Sequence, residues 1–166
     1  PQARLHIAGA GPYENELRGQ VRRLHLEERV TIAAIPGGDR QQMADLLASA
    51  GLFVLFSEYE AHPVAVMEAL ALRRPVLVSD TSGLAELASK DLCRAIPCNA
   101  TPAETAAAIV TELRTRRPIP ELRLPDWEDC AEALINVYRG VMADRVAAKR
   151  GSGSGRPLLV RAGHRP

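Results

Sequence analysis

The sequence predicts an α/β fold, a doubly wound, Rossmann-like parallel sheet with helices on both faces. Three observations predict it. Short apolar runs alternate along the chain with amphipathic helical patterns. The runs are apolar throughout, the pattern of strands buried on both faces. Aromatic residues make up only 4% against 46% hydrophobic residues, so Val, Leu, Ile and Ala must build the core. Strands separated by helices form right-handed βαβ units and hence a parallel sheet.

The elements follow in order. Leu5 to Ala8 is the first run, closed by Gly9-Ala10-Gly11-Pro12, and Tyr13 to His25 reads as a helix. Val30 to Ala34 is a second strand, ended by Pro36-Gly37-Gly38, and Asp39 can cap a helix through Ala50. Leu52 to Phe56 is a third strand, with a helix from Pro63 to about Leu72. Pro75 to Ser79 is a fourth strand, Gly83 to Ser89 a short helix, and Arg94 to Pro97 a weak fifth strand. Thr101-Pro102-Ala103-Glu104 carries a full helix-start signature: Thr at the N-cap, Pro in the first turn and Glu at the capping-box position. That helix runs to about Arg116. Pro118 to Pro125 is a Pro-rich crossing segment, and Asp126 can cap a long helix from Trp127 to about Arg150. Gly151-Ser152-Gly153-Ser154-Gly155 is a flexible linker by composition, native or engineered, and Arg156 to Pro166 is a short basic tail. Residues 1–150 are therefore read as one domain and 151–166 as linker and tail.

Charge excludes some functions. Five of the 21 basic residues lie at the end: Lys149, Arg150, Arg156, Arg161 and Arg165. That leaves 16 basic against 20 acidic residues, so the body is about −4. Nucleic acid requires a basic face, which this body lacks. A basic tail is attracted to anionic membrane, although a solvated tail is the simpler expectation. The three cysteines (Cys93, Cys98 and Cys130) form no CxxC pair, which argues against a disulfide framework or a zinc site. A reducing cytoplasm is the natural setting, with peripheral contact at the inner membrane face as the alternative. No apolar run approaches the roughly 20 residues that span a bilayer, and no signal-peptide pattern is visible.

Ligands of open parallel sheets bind beyond the carboxyl ends of the strands. Three such loops carry suggestive residues. In Gly9-Ala10-Gly11-Pro12 two glycines let the backbone approach a ligand, but the third glycine of the dinucleotide fingerprint is absent; an ordinary tight turn is the plain alternative. The second loop is Ser57-Glu58-Tyr59-Glu60-Ala61-His62-Pro63. Its amides precede a helix start, which favours anions. Glu68 is the only polar residue in the helix that follows, and no Lys or Arg sits at i+3 or i+4 to pair with it. A buried unpaired carboxylate is costly, so a hydroxyl-bearing ligand is one candidate partner; contact with water, or capping of a neighbouring loop, is the other. The third loop is Ser79-Asp80-Thr81-Ser82-Gly83, where Ser82 and Gly83 at a helix start suit a phosphate. Ordinary N-capping by Thr81 or Ser82 is its alternative.

Glu60 to Glu68 resembles the E-x(7)-E motif of the glycogen-synthase-like class of retaining glycosyltransferases. Neighbouring motifs match in the same order: Gly9 to Pro12, Ser57, Glu68 to Ser79, Gly83 to Glu86, and Trp127 with Tyr138. The resemblance covers about residues 4 to 142. It implies one half of a GT-B fold, the half that binds a nucleotide-diphosphate sugar for retaining transfer to an acceptor. It implies that Glu60 faces the donor sugar as a positioning and electrostatic residue. Ala61, His62 and Pro63 would meet sugar or phosphate oxygens, and Glu68 the ribose hydroxyls. Gly9, Gly11, Ser82 and Gly83 would line the diphosphate region, with Ser57 beside the motif. No cofactor is implied beyond the nucleotide sugar as substrate, and no metal motif is visible.

Departures from the pattern qualify this. The family's first strand–loop–helix unit carries an Arg and a Lys that clamp the diphosphate, and Pro1 begins after that point. The acceptor domain is likewise outside the chain. A domain without its first strand exposes a sheet edge or face, which implies dimerisation, swapping or dependence on the missing part. Arg73-Arg74 replaces a small residue plus Gly, which implies an altered turn. Alone, the fragment is expected to bind nucleotide weakly and to catalyse little. The alternatives are a degenerate, non-catalytic module acting in protein assembly, and a nucleotide-sugar epimerase of related fold.

Overall fold

The computed structural model describes residues 3–115, 119, 122 and 124–151. They fall into two compact units, Pro1–Leu122 and Arg123–Pro166. In the first unit strands and helices alternate strictly: β1 (Leu5–Ala8), α1 (Glu14–Arg23), β2 (Val30–Ala33), α2 (Arg40–Ser49), β3 (Phe53–Leu55), α3 (Val64–Ala71), β4 (Val76–Ser79), α4 (Ser82–Ser89), β5 (Arg94–Ile96) and α5 (Pro102–Arg114). Every strand pairing is parallel. The fold class read from the sequence is the fold observed.

The sheet is split. β1 pairs with β2, and β3, β4 and β5 form a separate ladder in that order. The familiar doubly wound order is 3-2-1-4-5-6. Raising each strand number here by one gives 3-2 and 4-5-6, with the first position unfilled among the described residues. Among the described residues no ladder joins β1 to β3.

This division explains a departure in burial. All four residues of β4 are buried, whereas β3 is half-buried and β1 is largely exposed. Continuous apolar runs predicted burial on both faces for every strand; only the strand paired on both sides attains it. The core follows β4: Val76 and Val78 pack with Leu47, Val66, Ala69, Leu70, Leu84 and Cys93. At the unit's far side buried Glu112 pairs with Arg94 at 3.2 Å.

Helix ends show why the boundaries fall where they do. Asp39 caps α2, its carboxylate accepting the Gln42 N–H at 3.0 Å. Three helices end in Schellman turns with a non-glycine in the left-handed region: His25 (φ 53°) after α1, Arg73 (φ 54°) after α3 and Asp91 (φ 57°) after α4. After α3, the Arg73 N–H donates to the Leu70 carbonyl and the Arg74 N–H to the Ala69 carbonyl, the paired bonds of that motif. Arg73-Arg74 therefore ends the helix in the ordinary way, contrary to the altered turn expected. Left-handed backbone costs an L-residue about 1–2 kcal/mol, partly offset when glycine loosens the unfolded chain. His25→Gly should therefore stabilise α1 by about 0.5–1 kcal/mol, slowing amide exchange over Glu14–Arg23 roughly two- to fivefold. Unchanged or faster exchange would contradict the strain assigned to His25.

The capping box at α5 is complete. Thr101 Oγ1 accepts the Glu104 N–H at 3.3 Å, and the Glu104 carboxylate accepts the Thr101 backbone N–H at 2.7 Å. That backbone bond, then the Thr101 hydroxyl, hold the Glu104 carboxyl below the usual glutamate value. A depressed folded value gives stability that is present above the unfolded value and lost as pH falls through the folded one. Wild type should therefore exceed Glu104→Gln in stability at neutral pH. In thermal melts the advantage should shrink as pH falls below the ordinary glutamate range and be lost once pH passes below the depressed folded value. An advantage that persists or grows in acid would refute the assignment.

The second unit holds α6 (Trp127–Gly151), a 25-residue helix. Asp126 accepts the Asp129 N–H at 2.8 Å and returns its own N–H to the Asp129 carboxylate at 3.1 Å, as the expected cap requires. Among the described residues no helix is long and apolar enough to cross a membrane. Part of the Pro118-to-Pro125 segment, and residues 152–166 of the linker and tail, lie outside the described residues.

Candidate functional site

The segment after β3 and the turn after β4 are bound to each other by four hydrogen bonds. The Ser79 hydroxyl donates to the Ser57 carbonyl. The Thr81 hydroxyl donates to the Glu58 carbonyl at 2.9 Å. The Glu60 N–H donates to Ser82 Oγ at 2.8 Å, and the Gly83 N–H donates to the Glu60 carbonyl at 2.9 Å. Both strands end at these loops because they are adjacent and parallel, with Leu55 opposite Val78. The loops carry small hydroxyl residues, and their side chains substitute for the ladder that has ended.

Ser82 and Gly83 each show what this costs. Ser82 lies in the left-handed region at φ 41°. Such outliers persist where surrounding bonds fix them, and here its hydroxyl holds the Glu60 N–H. At Gly83 an added Cβ would come 2.7 Å from the Glu60 carbonyl oxygen and 3.0 Å from that of Ala61. The contact is backbone on both sides, so the position admits only glycine without displacement.

The Glu60 side chain is also held. The Ser57 hydroxyl donates to its Oε1 at 2.8 Å, and Oε2 has no partner among the described residues. Next to it Ala61 and His62 are exposed, while Pro63 is buried as the residue before α3. The structure thus brings together Ser57, Glu60, Ala61, Ser82 and Gly83.

Glu68 lies on α3, and its surroundings differ from those expected. The helix is not buried all round: Val66, Ala69 and Leu70 are buried, but Val64 is 53% exposed. The Glu68 carboxylate is 22% exposed, and it has a cationic partner: Arg40, the first residue of α2, donates to Oε1. The partner lies 28 residues earlier on another element, beyond the i+3 and i+4 positions of the helix itself.

Gly9 and Gly11 stand elsewhere. They line a shallow hollow of about 210 Å³ with Ile7, Pro12 and Ile32, walled by α1 through Leu17. Neither glycine is in the left-handed region, and a Cβ on either would meet nothing within 4 Å. The turn itself does not require glycine at these positions. Among the described residues no group of three or more His, Cys, Asp or Glu is placed to hold a metal ion.

This arrangement is matched by a known family. The model of the family "Glycosyl transferases group 1" matches residues 1–121. The chain belongs to that family. Among curated relatives it is 33% identical over 92 residues to mannosylfructose-phosphate synthase of Agrobacterium fabrum, covering 51% of this chain and 20% of that protein. It is 36% identical over 89 residues to the GDP-mannose-dependent alpha-(1-6)-phosphatidylinositol dimannoside mannosyltransferase of Mycobacterium tuberculosis, covering 54% of this chain and 22% of that protein. It is 32% identical over 85 residues to N-acetyl-alpha-D-glucosaminyl L-malate synthase of Bacillus anthracis, covering 51% and 21%. The chain spans about a fifth of the length of these relatives. In this glycosyltransferase domain of GT-B type, the bonded loop pair lies wholly within the family match.

Proposed function

We propose that this chain is the donor-binding half of a retaining glycosyltransferase that uses a nucleotide-diphosphate sugar. The observation that carries the reading is the Glu60 loop, fixed by its backbone and by its carboxylate at the carboxyl end of a parallel sheet. Catalysis by electrostatic positioning requires groups set before the substrate arrives. Glu60 meets that requirement, with one carboxylate oxygen oriented by Ser57 and the other available to a sugar hydroxyl. In this reading the 61–63 backbone meets sugar or phosphate oxygens, and Glu68 accepts the ribose hydroxyls. Ser82 and Gly83 line the diphosphate region and hold Glu60 there. Gly9 and Gly11 complete that region; their openness, which the turn does not require, suits close approach of an anion.

The acceptor domain is proposed to lie outside these residues. The degenerate-module alternative loses one support, because Arg73-Arg74 forms an ordinary helix end and Arg74 donates to the Leu72 and Ala48 carbonyls. The test is calorimetric titration of the full chain with nucleoside diphosphates and their sugars, beside Glu68→Ala. Selective binding that the variant loses supports the donor site. Equal binding by ribose and ribose-free ligands would defeat it.

A further inference from the structure

We propose that Arg40 is a positioning residue of the nucleotide site that acts through Glu68, an inference that rests on the nucleotide-sugar reading above. Two independent observations point to it. The first is the ion pair. The Arg40 guanidinium binds Glu68 Oε1 only, and Oε2 has no partner among the described residues. A partly buried carboxylate held at one oxygen has its rotamer fixed and its second oxygen presented in one direction. That is the geometry needed to accept ribose hydroxyls.

The second observation is where the cation sits. Arg40 is the first residue of α2, and no acidic residue lies in that helix's first turn. A positive charge at a helix N-terminus opposes the macrodipole. Asp39, the N-cap, accepts the Gln42 N–H and offsets part of that charge, but it does not itself call for an arginine at position 40. The Arg40 side chain is 72% exposed, so packing does not require it either. Neither helix capping nor burial calls for an arginine here, while its contact with Glu68 accounts for it. Lysine would supply the charge without the planar guanidinium that holds a carboxylate in one orientation.

The experiment titrates the full chain with adenosine, guanosine and uridine diphosphates and with their 2′,3′-dideoxy counterparts. It compares wild type, Arg40→Ala, Arg40→Lys, Glu68→Ala and the double alanine variant, with thermal melts to confirm folding. Arg40→Ala should weaken ribose-nucleotide binding about threefold to tenfold. It should leave dideoxy binding unchanged, so that the preference for ribose shrinks. Arg40→Lys should restore part of that preference, and Arg40→Ala should add nothing once Glu68 is alanine. Tighter binding by Arg40→Ala would make Arg40 a competitor of ribose and overturn the proposal. Unchanged preference in Arg40→Ala, or equal losses with and without Glu68, would overturn it too. Absence of binding by folded wild type would defeat the nucleotide reading and Arg40's role together, an outcome distinct from failure of the Arg40 variants alone.

Discussion

Replacing Gly83 by alanine is expected to destabilise the first unit by about 1–3 kcal/mol. The new methyl group would lie 2.7 Å from the Glu60 carbonyl oxygen and 3.0 Å from that of Ala61. Neither contact can relax by rotating a side chain, because both belong to backbone. The Glu60 loop must move, and in moving it loses the bond from the Gly83 N–H and strains the one to Ser82 Oγ. Gly9→Ala is the matched control: its methyl group meets nothing within 4 Å. Denaturant melts of the two variants should therefore separate clearly. A Gly83→Ala midpoint indistinguishable from wild type would mean that the loops are not locked as described.

Glu68→Ala should weaken nucleotide binding about 10- to 150-fold while barely changing stability. The affinity estimate takes the net value of hydrogen bonds to a charged group, about 1.5–3 kcal/mol. The small effect on stability follows from exposure. The partner left behind, Arg40, is already 72% exposed and is solvated when released, unlike a buried charge stripped of its mate. Calorimetry with ribose nucleotides, paired with thermal melts, reads both quantities. Loss of folding in step with loss of binding would make Glu68 a structural residue and remove it from the proposed site.

The pattern of strands and helices was legible in the sequence because local signals dominate it. Asp39 and Thr101 announce helix starts by chemistry that acts within three residues, and both act as read. The helix ends at His25, Arg73 and Asp91 were harder to read because no glycine marks them. Their left-handed backbone is set by Schellman bonds, and sequence composition does not display it. At the site, the sequence singled out Ser57, Glu60, Ser82 and Gly83, which the structure gathers into one bonded cluster. It could not read the direction of those bonds: the Ser82 hydroxyl accepts the Glu60 N–H, whereas its position suggested a phosphate contact or ordinary N-capping. Arg40 was missed for the plainest reason, since a contact between two helices has no period along the chain.

The division of the strands into two ladders also bears on how the chain holds together. Nearly all of the core belongs to elements from α2 onward; among residues 3–39 only Ile32 is buried. A two-stranded ladder with so little apolar burial is marginal by itself. Amide exchange over β1–α1–β2 is therefore expected to be faster than over β3–β5. The Gly9–Gly11 turn rides on that segment. A ligand that engages it binds the molecules in which the segment is formed, so its apparent affinity is scaled by that fraction.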